Sequence, residues 1–88
     1  MLIGLRGNVS RRIEGEINSA FANYGPFTST HEGLGVLMEE MKELVDAIHA
    51  NDLESVCDES IQIAAVAYRL AGSCEDPYPE FRKRSTGR

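Results

Sequence analysis

Asp58-Glu59-Ser60-Ile61-Gln62-Ile63-Ala64-Ala65-Val66-Ala67-Tyr68-Arg69-Leu70-Ala71 reads as a helix that water cannot surround. From Ile61 to Ala71 only Gln62 and Arg69 interrupt the apolar residues, and a helix apolar on most sides must be buried on most sides. Its polar residues are few and aligned. At about 100° per residue, Ser55, Asp58, Glu59, Gln62, Val66 and Arg69 share a sector about 100° wide. Burying a carboxylate or an amide without a partner costs several kcal/mol, so Glu59 and Gln62 require partners on a neighbouring helix.

The rest of the chain supplies two more helices. Asn51-Asp52 makes a tight link with Asp52 as cap, and the spacing predicts a third helix over about residues 52–71, ended by Gly72. A second helix is predicted over about residues 30–50. It opens with a capping box, Ser29 as cap and Glu32 reaching back, and its apolar stripe is Leu34, Leu37, Met38, Met41, Leu44, Val45 and Ile48. A first helix over about residues 10–23 carries Ile13, Ile17, Ala20, Phe21 and Tyr24 at helical spacing. Gly25-Pro26 stops it, because a proline disfavours helical geometry in the residue before it.

Residues 1–72 therefore read as one all-α domain, and residues 73–88, with Pro77 and Pro79, as an extended tail that packs Tyr78 and Phe81 on a neighbouring chain. Three helices of this size cannot bury the third one alone. The expectation is a homodimer or homotetramer that completes a four-helix-type bundle.

Bulk properties narrow the function. Eighty-eight residues make one small domain with a marginal core. No apolar run approaches the roughly 20 residues that span a bilayer, and Met1 to Arg12 lacks the apolar stretch of a secretory signal. Cys57 and Cys74 form neither a metal-type spacing nor a disulfide framework, so they read as reduced thiols, Cys57 on a helix and Cys74 in a loop, of a cytoplasmic protein. Residues 14 to 60 carry eleven acids against the single base Lys42. That acidic middle repels nucleic-acid phosphates, and the basic residues sit at the two ends of the chain.

Two acidic clusters stand out against this background: Glu39-Glu40-Met41-Lys42-Glu43 and Asp58-Glu59-Ser60-Ile61-Gln62. Carboxylates three or four positions apart share a helix face. If the two helices pack antiparallel, Glu40 and Glu43 meet Glu59 and Gln62. Like charges held together raise one another's pKa unless a cation intervenes, and oxygen-only ligands suit Mg²⁺, or Mn²⁺. The competing reading is a solvated helix face, with Lys42 paired to Glu39 or Asp46.

The stretch Tyr24-Gly25-Pro26-Phe27-Thr28-Ser29-Thr30-His31-Glu32-Gly33-Leu34-Gly35-Val36-Leu37-Met38-Glu39-Glu40 closely resembles the approach to the metal-binding helix of MazG-like proteins, members of the all-α nucleoside triphosphate pyrophosphohydrolase superfamily. The family pattern is E-E-x-x-E, a spacer, then E-x-x-D. Glu39-Glu40-Met41-Lys42-Glu43 matches its first half, and Glu59 takes the glutamate position of the second after fifteen intervening residues. The resemblance covers about residues 13–71. It implies Mg²⁺-dependent hydrolysis of a nucleoside triphosphate to the monophosphate and pyrophosphate, in house-cleaning of the nucleotide pool. By this resemblance Glu40, Glu43, Glu59 and Gln62 hold the metal, and Glu39 and Glu40 are catalytic, Glu39 as a further ligand or as the base that orients water. Arg69 and, more weakly, Lys42 meet the substrate. His31 reads as a capping or packing residue.

One departure matters. Where the pattern ends in aspartate this chain has Gln62, whose neutral amide can coordinate a hard cation but gives up a full charge. Three outcomes follow: fewer metals, compensation by Asp58, or binding without turnover. The alternatives are therefore a non-catalytic helical dimer with an acidic groove that binds metal or nucleotide or acts as an adaptor, a phosphoribosyl-ATP pyrophosphohydrolase, and, least favoured by charge, a DNA binder using the basic ends.

Overall fold

The computed structural model describes residues 7–87. Four helices follow one another: α1 (Gly7–Tyr24), α2 (Thr30–His49), α3 (Leu53–Glu75) and α4 (Pro79–Thr86). Among the described residues there is no strand. The chain is all-α, as its periodicities require.

The punctuation of the first three helices follows local chemistry. Gly25 takes φ of +69°, a left-handed conformation open to glycine, and its N–H donates to Phe21 O at 3.0 Å. Ser29 Oγ accepts the Glu32 N–H at 3.1 Å. The Glu32 carboxylate reaches back past the cap to Thr28, accepting its N–H at 2.8 Å. Asp52 caps α3 by accepting the Ser55 N–H at 3.2 Å and its hydroxyl at 2.7 Å. Those two bonds hold the Asp52 carboxyl below its usual range.

α2 and α3 form an antiparallel pair. The Leu70 side chain packs directly onto Gly33: a Cβ at Gly33 would lie 2.7 Å from Leu70 Cδ1. α1 runs parallel to α3. Arg12 bonds Asp58 near the two starts and Arg69 bonds the Gly25 carbonyl near the two ends.

The C-terminal part departs from the sequence expectation. Gly72 does not end α3, which continues to Glu75 and takes Cys74 into its last turn, so Cys74 is not in a loop. A glycine within a helix costs about 1 kcal/mol relative to alanine, and Gly72 has no positive φ that would stop the chain there. The stop comes at Asp76-Pro77.

Of residues 73–88, expected as an extended tail, those described (73–87) are largely helical. Pro79 sits in the first turn of α4, where its missing N–H is no loss, and Gly87 closes that helix at φ +74°. Phe81 is 2% exposed and packs with Phe27 and Val66 in the core of its own chain, not on a neighbour. The Tyr78 hydroxyl donates to Phe27 O at 3.1 Å, and Ser85 Oγ accepts the Thr30 N–H at the start of α2 at 2.9 Å.

The core itself is small. Phe27, Ala47, Ile61, Ala65, Val66 and Phe81 are its buried apolar residues. Of the expected α2 stripe only Leu37 and Leu44 are half-buried. Leu34, Met38, Met41, Val45 and Ile48 remain between 43% and 62% exposed.

Because Phe81 fills the centre of so small a core, Phe81→Ala should cost about 3 kcal/mol or more in urea unfolding. A loss within about 0.5 kcal/mol, the range of surface substitutions, would return this segment to a tail without a packing role.

Candidate metal centre and cavity

The antiparallel α2–α3 pair brings the two acidic clusters together. Carboxylate oxygens of Glu40, Glu43 and Glu59 lie within 4.8 Å of one another. Glu40 and Glu59 are half-buried and Glu43 is exposed. Glu59 Oε2 is buried with no hydrogen-bond partner among the described residues. Buried polar oxygens are nearly always paired. This one belongs to a cluster of three carboxylates.

The electrostatics record the crowding. Burial pushes the Glu59 carboxyl above the usual glutamate range, and Glu40 and Asp58 add to the rise. Glu43 is pushed up first by its contact with Glu59 and then by the charge of Glu59. A proton relieves the conflict in part. A divalent cation relieves it more fully, and three oxygens this close are a spread that a shared ion would only have to tighten. The donor set is all oxygen, which fits Mg²⁺ or Mn²⁺.

The other residues singled out by sequence fall in different places. Glu39 is exposed and outside the triad. Gln62 is half-buried and lines a cavity beside Glu40. Asp58 is engaged elsewhere: Arg12 Nη2 donates to Asp58 Oδ1 at 2.6 Å, and Arg12 Nη1 lies 3.7 Å from Cys57 Sγ. Asp58 is therefore a poor substitute for a missing fourth carboxylate. Lys42 reaches Asp46, at 3.9 Å, and stays solvated. His31 is exposed and has no packing role.

Arg69 is the surprise of the strip. It is 7% exposed, with its guanidinium Cζ 4.2 Å from the Phe27 ring centroid and 5.6 Å from that of Phe21. Nη2 donates to Gly25 O at 3.3 Å, while Nε is buried without a partner. Burial lowers the guanidinium pKa, and the charge of Glu32 opposes that shift. A buried donor left unpaired costs about 1–3 kcal/mol.

A cavity of about 490 Å³ joins these two places. Glu40 and Gln62 line one end and Arg69 and Phe27 the other, with Val36, Ala65 and Val66 between. Its α1 wall contributes Glu16, Ser19 and Asn23, none of which the sequence reading singles out. Their spacing of three and then four residues puts them on one helix face. That second, polar stripe beside Ile13, Ile17 and Ala20 was the available signal.

The raised carboxyls carry a pH dependence. The folded chain holds protons on Glu43 and Glu59 more tightly than the unfolded chain does, so the cluster favours folding below the ordinary glutamate pKa of about 4.3. That contribution is lost as pH rises through the folded values. The melting temperature of metal-free protein should fall across this window, and Glu43→Gln should flatten the fall and raise stability at neutral pH. An unchanged profile in Glu43→Gln would show that the carboxylates do not interact. Asp52, held low by its cap, acts with the opposite sign at lower pH.

Set against known protein families, curated proteins and solved structures, the chain matches none.

Proposed function

We propose that the chain is a MazG-like, Mg²⁺-dependent nucleoside triphosphate pyrophosphohydrolase that works as a homo-oligomer. One observation carries the reading: the convergence of Glu40, Glu43 and Glu59, with the orphaned Glu59 Oε2, at the end of a cavity of nucleoside size. The motif residues whose spacing suggested a shared site are the ones whose oxygens meet.

The residues divide the work by position. Glu40, Glu43 and Glu59 hold Mg²⁺, or Mn²⁺ in its place, and Gln62 offers a neutral amide oxygen beside Glu40. Bound there, the cation would offset phosphate charge and the charge that develops on the departing pyrophosphate. Glu39, exposed beside the triad, accepts a proton from the attacking water. Glu40 is shared between the triad and the cavity, so a substrate whose phosphates meet the triad has room for its nucleoside alongside. House-cleaning of the nucleotide pool in the cytoplasm is the role this chemistry fits. No helix among the described residues is long and apolar enough to cross a membrane.

Self-association is supported by the exposed side of α2. Leu34, Met38, Met41, Val45 and Ile48 alternate spacings of four and three residues. That is the a/d repeat of a helix-pairing seam. Left in water, such a row is an apolar patch. Paired with the same row of a second chain, it completes the bundle that three long helices cannot close alone. Val45→Glu should convert the oligomer to monomer in light scattering behind size exclusion. A wild-type monomer at micromolar concentration would sink this part of the proposal.

A second reading is favoured by a specific contact. With Asp58 bound to Arg12 and Gln62 neutral, only three carboxylates converge, which suits a groove that binds without turnover. Pyrophosphate release from a panel of nucleoside triphosphates with Mg²⁺ separates the two. Turnover should appear in wild type and fall by about 100-fold or more in Glu40→Gln, as befits loss of an electrostatic contact made in the transition state. Silence in wild type with activity gained in Gln62→Asp would favour the binding groove.

A further inference from the structure

The triad accounts for one end of the cavity and leaves Arg69 unexplained. A guanidinium is all donor and never acceptor. Here it lines the cavity at 7% exposure, its charge rests over Phe27 and Phe21, and its Nε–H is buried without a partner among the described residues. The only hydrogen bond it makes among the described residues is the one from Nη2 to Gly25 O. The position is built, since the guanidinium Cζ lies 4.2 Å from the ring centroid of Phe27, itself 3% exposed. What it lacks is an acceptor.

The span decides which part of a ligand arrives there. Glu59 and Arg69 are ten residues apart on α3, about 15 Å at 1.5 Å per residue. A triphosphate chain is too short to touch the triad and Arg69 together. A triphosphate with its sugar and base attached is not. The walls between the two ends are the apolar Val36, Ala65 and Val66, which suit a flat ring more than a phosphate.

Resting on the pyrophosphohydrolase reading above, we propose that Arg69 is a specificity-determining residue that receives the nucleobase and selects bases presenting an oxo group over those presenting an amino group in the same place. An oxo oxygen accepts from the guanidinium, which lines the cavity and has only donors to offer. An amino group would set donor against donor in a dry pocket, the more costly mismatch. Of the other groups on the wall, Glu32 Oε1 already accepts from the Thr28 N–H and hydroxyl, and Ser19 and Asn23 do not override this choice. Hydroxyl and carboxamide groups both donate and accept, and they adapt to either base.

The test uses pairs that differ at that one substituent: dUTP against dCTP, and dITP against dATP. Wild-type kcat/KM should favour the oxo member of each pair by about tenfold or more, the scale of an arginine–base contact. Arg69→Met keeps the stem over Phe27 and removes every donor, so both ratios should collapse towards unity. Arg69→Lys keeps the charge and a donor group but loses the planar fork, and should fall between, which preserves the test if the methionine variant does not fold. Equal kcat/KM within both wild-type pairs overturns the proposal, as does a preference that survives in Arg69→Met.

If no triphosphate is hydrolysed, the pyrophosphohydrolase reading fails by itself. Calorimetric titration with the α,β-imido analogues of dUTP and dCTP in Mg²⁺ then decides the Arg69 assignment. Tighter binding of the uracil analogue, lost in Arg69→Met, supports it. Equal binding, or none, overturns it.

Discussion

The site depends on the register of the α2–α3 pair. Asn51, at φ +57°, and the cap at Asp52 close the link in so few residues that the two helices are forced back to back. Glu43 lies eight residues before Asn51 and Glu59 eight after it; Gly33 and Leu70 lie eighteen and nineteen away. Equal arms from a tight link are what an antiparallel pair requires. The close approach at Gly33 then holds the far end of the same register. One residue more within α3, between the cap and Glu59, would turn Glu59 by about 100° about the helix axis, carrying it away from its partners.

That dependence explains why so much was legible in advance. The link, the caps at Ser29 and Asp52 and the stop at Gly25-Pro26 are all local interactions, readable from neighbours in sequence. Once they are placed, the meeting of Glu40 and Glu43 with Glu59 follows from counting. What sequence could not supply was competition between distant surfaces. The helix continued through Gly72 because a glycine stops a helix only where the chain turns, and the turn belongs to Pro77. Phe81 was given to a neighbouring chain because nothing local shows that Phe27 and Val66 leave a place for it. The α2 stripe was read as core. Phe27 and Phe81 occupy the interior at that end, and most of the stripe is left facing water. That Arg69 is buried was not legible either, because what covers it, the rings of Phe27 and Phe21 and the Gly25 carbonyl, lies more than forty residues away in sequence.

The cavity is polarised by these same facts. Its triad end lacks positive charge because Arg12, the nearby candidate, is spent on Asp58. At its other end the Glu32 carboxylate bonds Thr28 and acts on Arg69 through its charge alone, so the guanidinium lacks a carboxylate acceptor. Both ends therefore hold groups whose natural partners are absent from the described residues, within one cavity about 490 Å³ in volume. Buried unpaired groups of opposite sign at opposite ends are hard to explain as packing, since each weakens the folded chain. Together they match a ligand with cation-bound phosphates at one extremity and hydrogen-bond acceptors at the other.

Gln62 fits this balance. An aspartate there would add a fourth negative charge beside Glu40, where Glu43 and Glu59 already hold their protons too tightly. Arg12 would not offset it. With six buried apolar residues for a core among the described residues, added repulsion takes up a large share of the available stability. A neutral amide keeps an oxygen at the cavity wall without that repulsion. The substitution weakens the pull on a cation and strengthens the fold without one, so the triad and Gln62 together define a site that is tolerable empty and improved by filling.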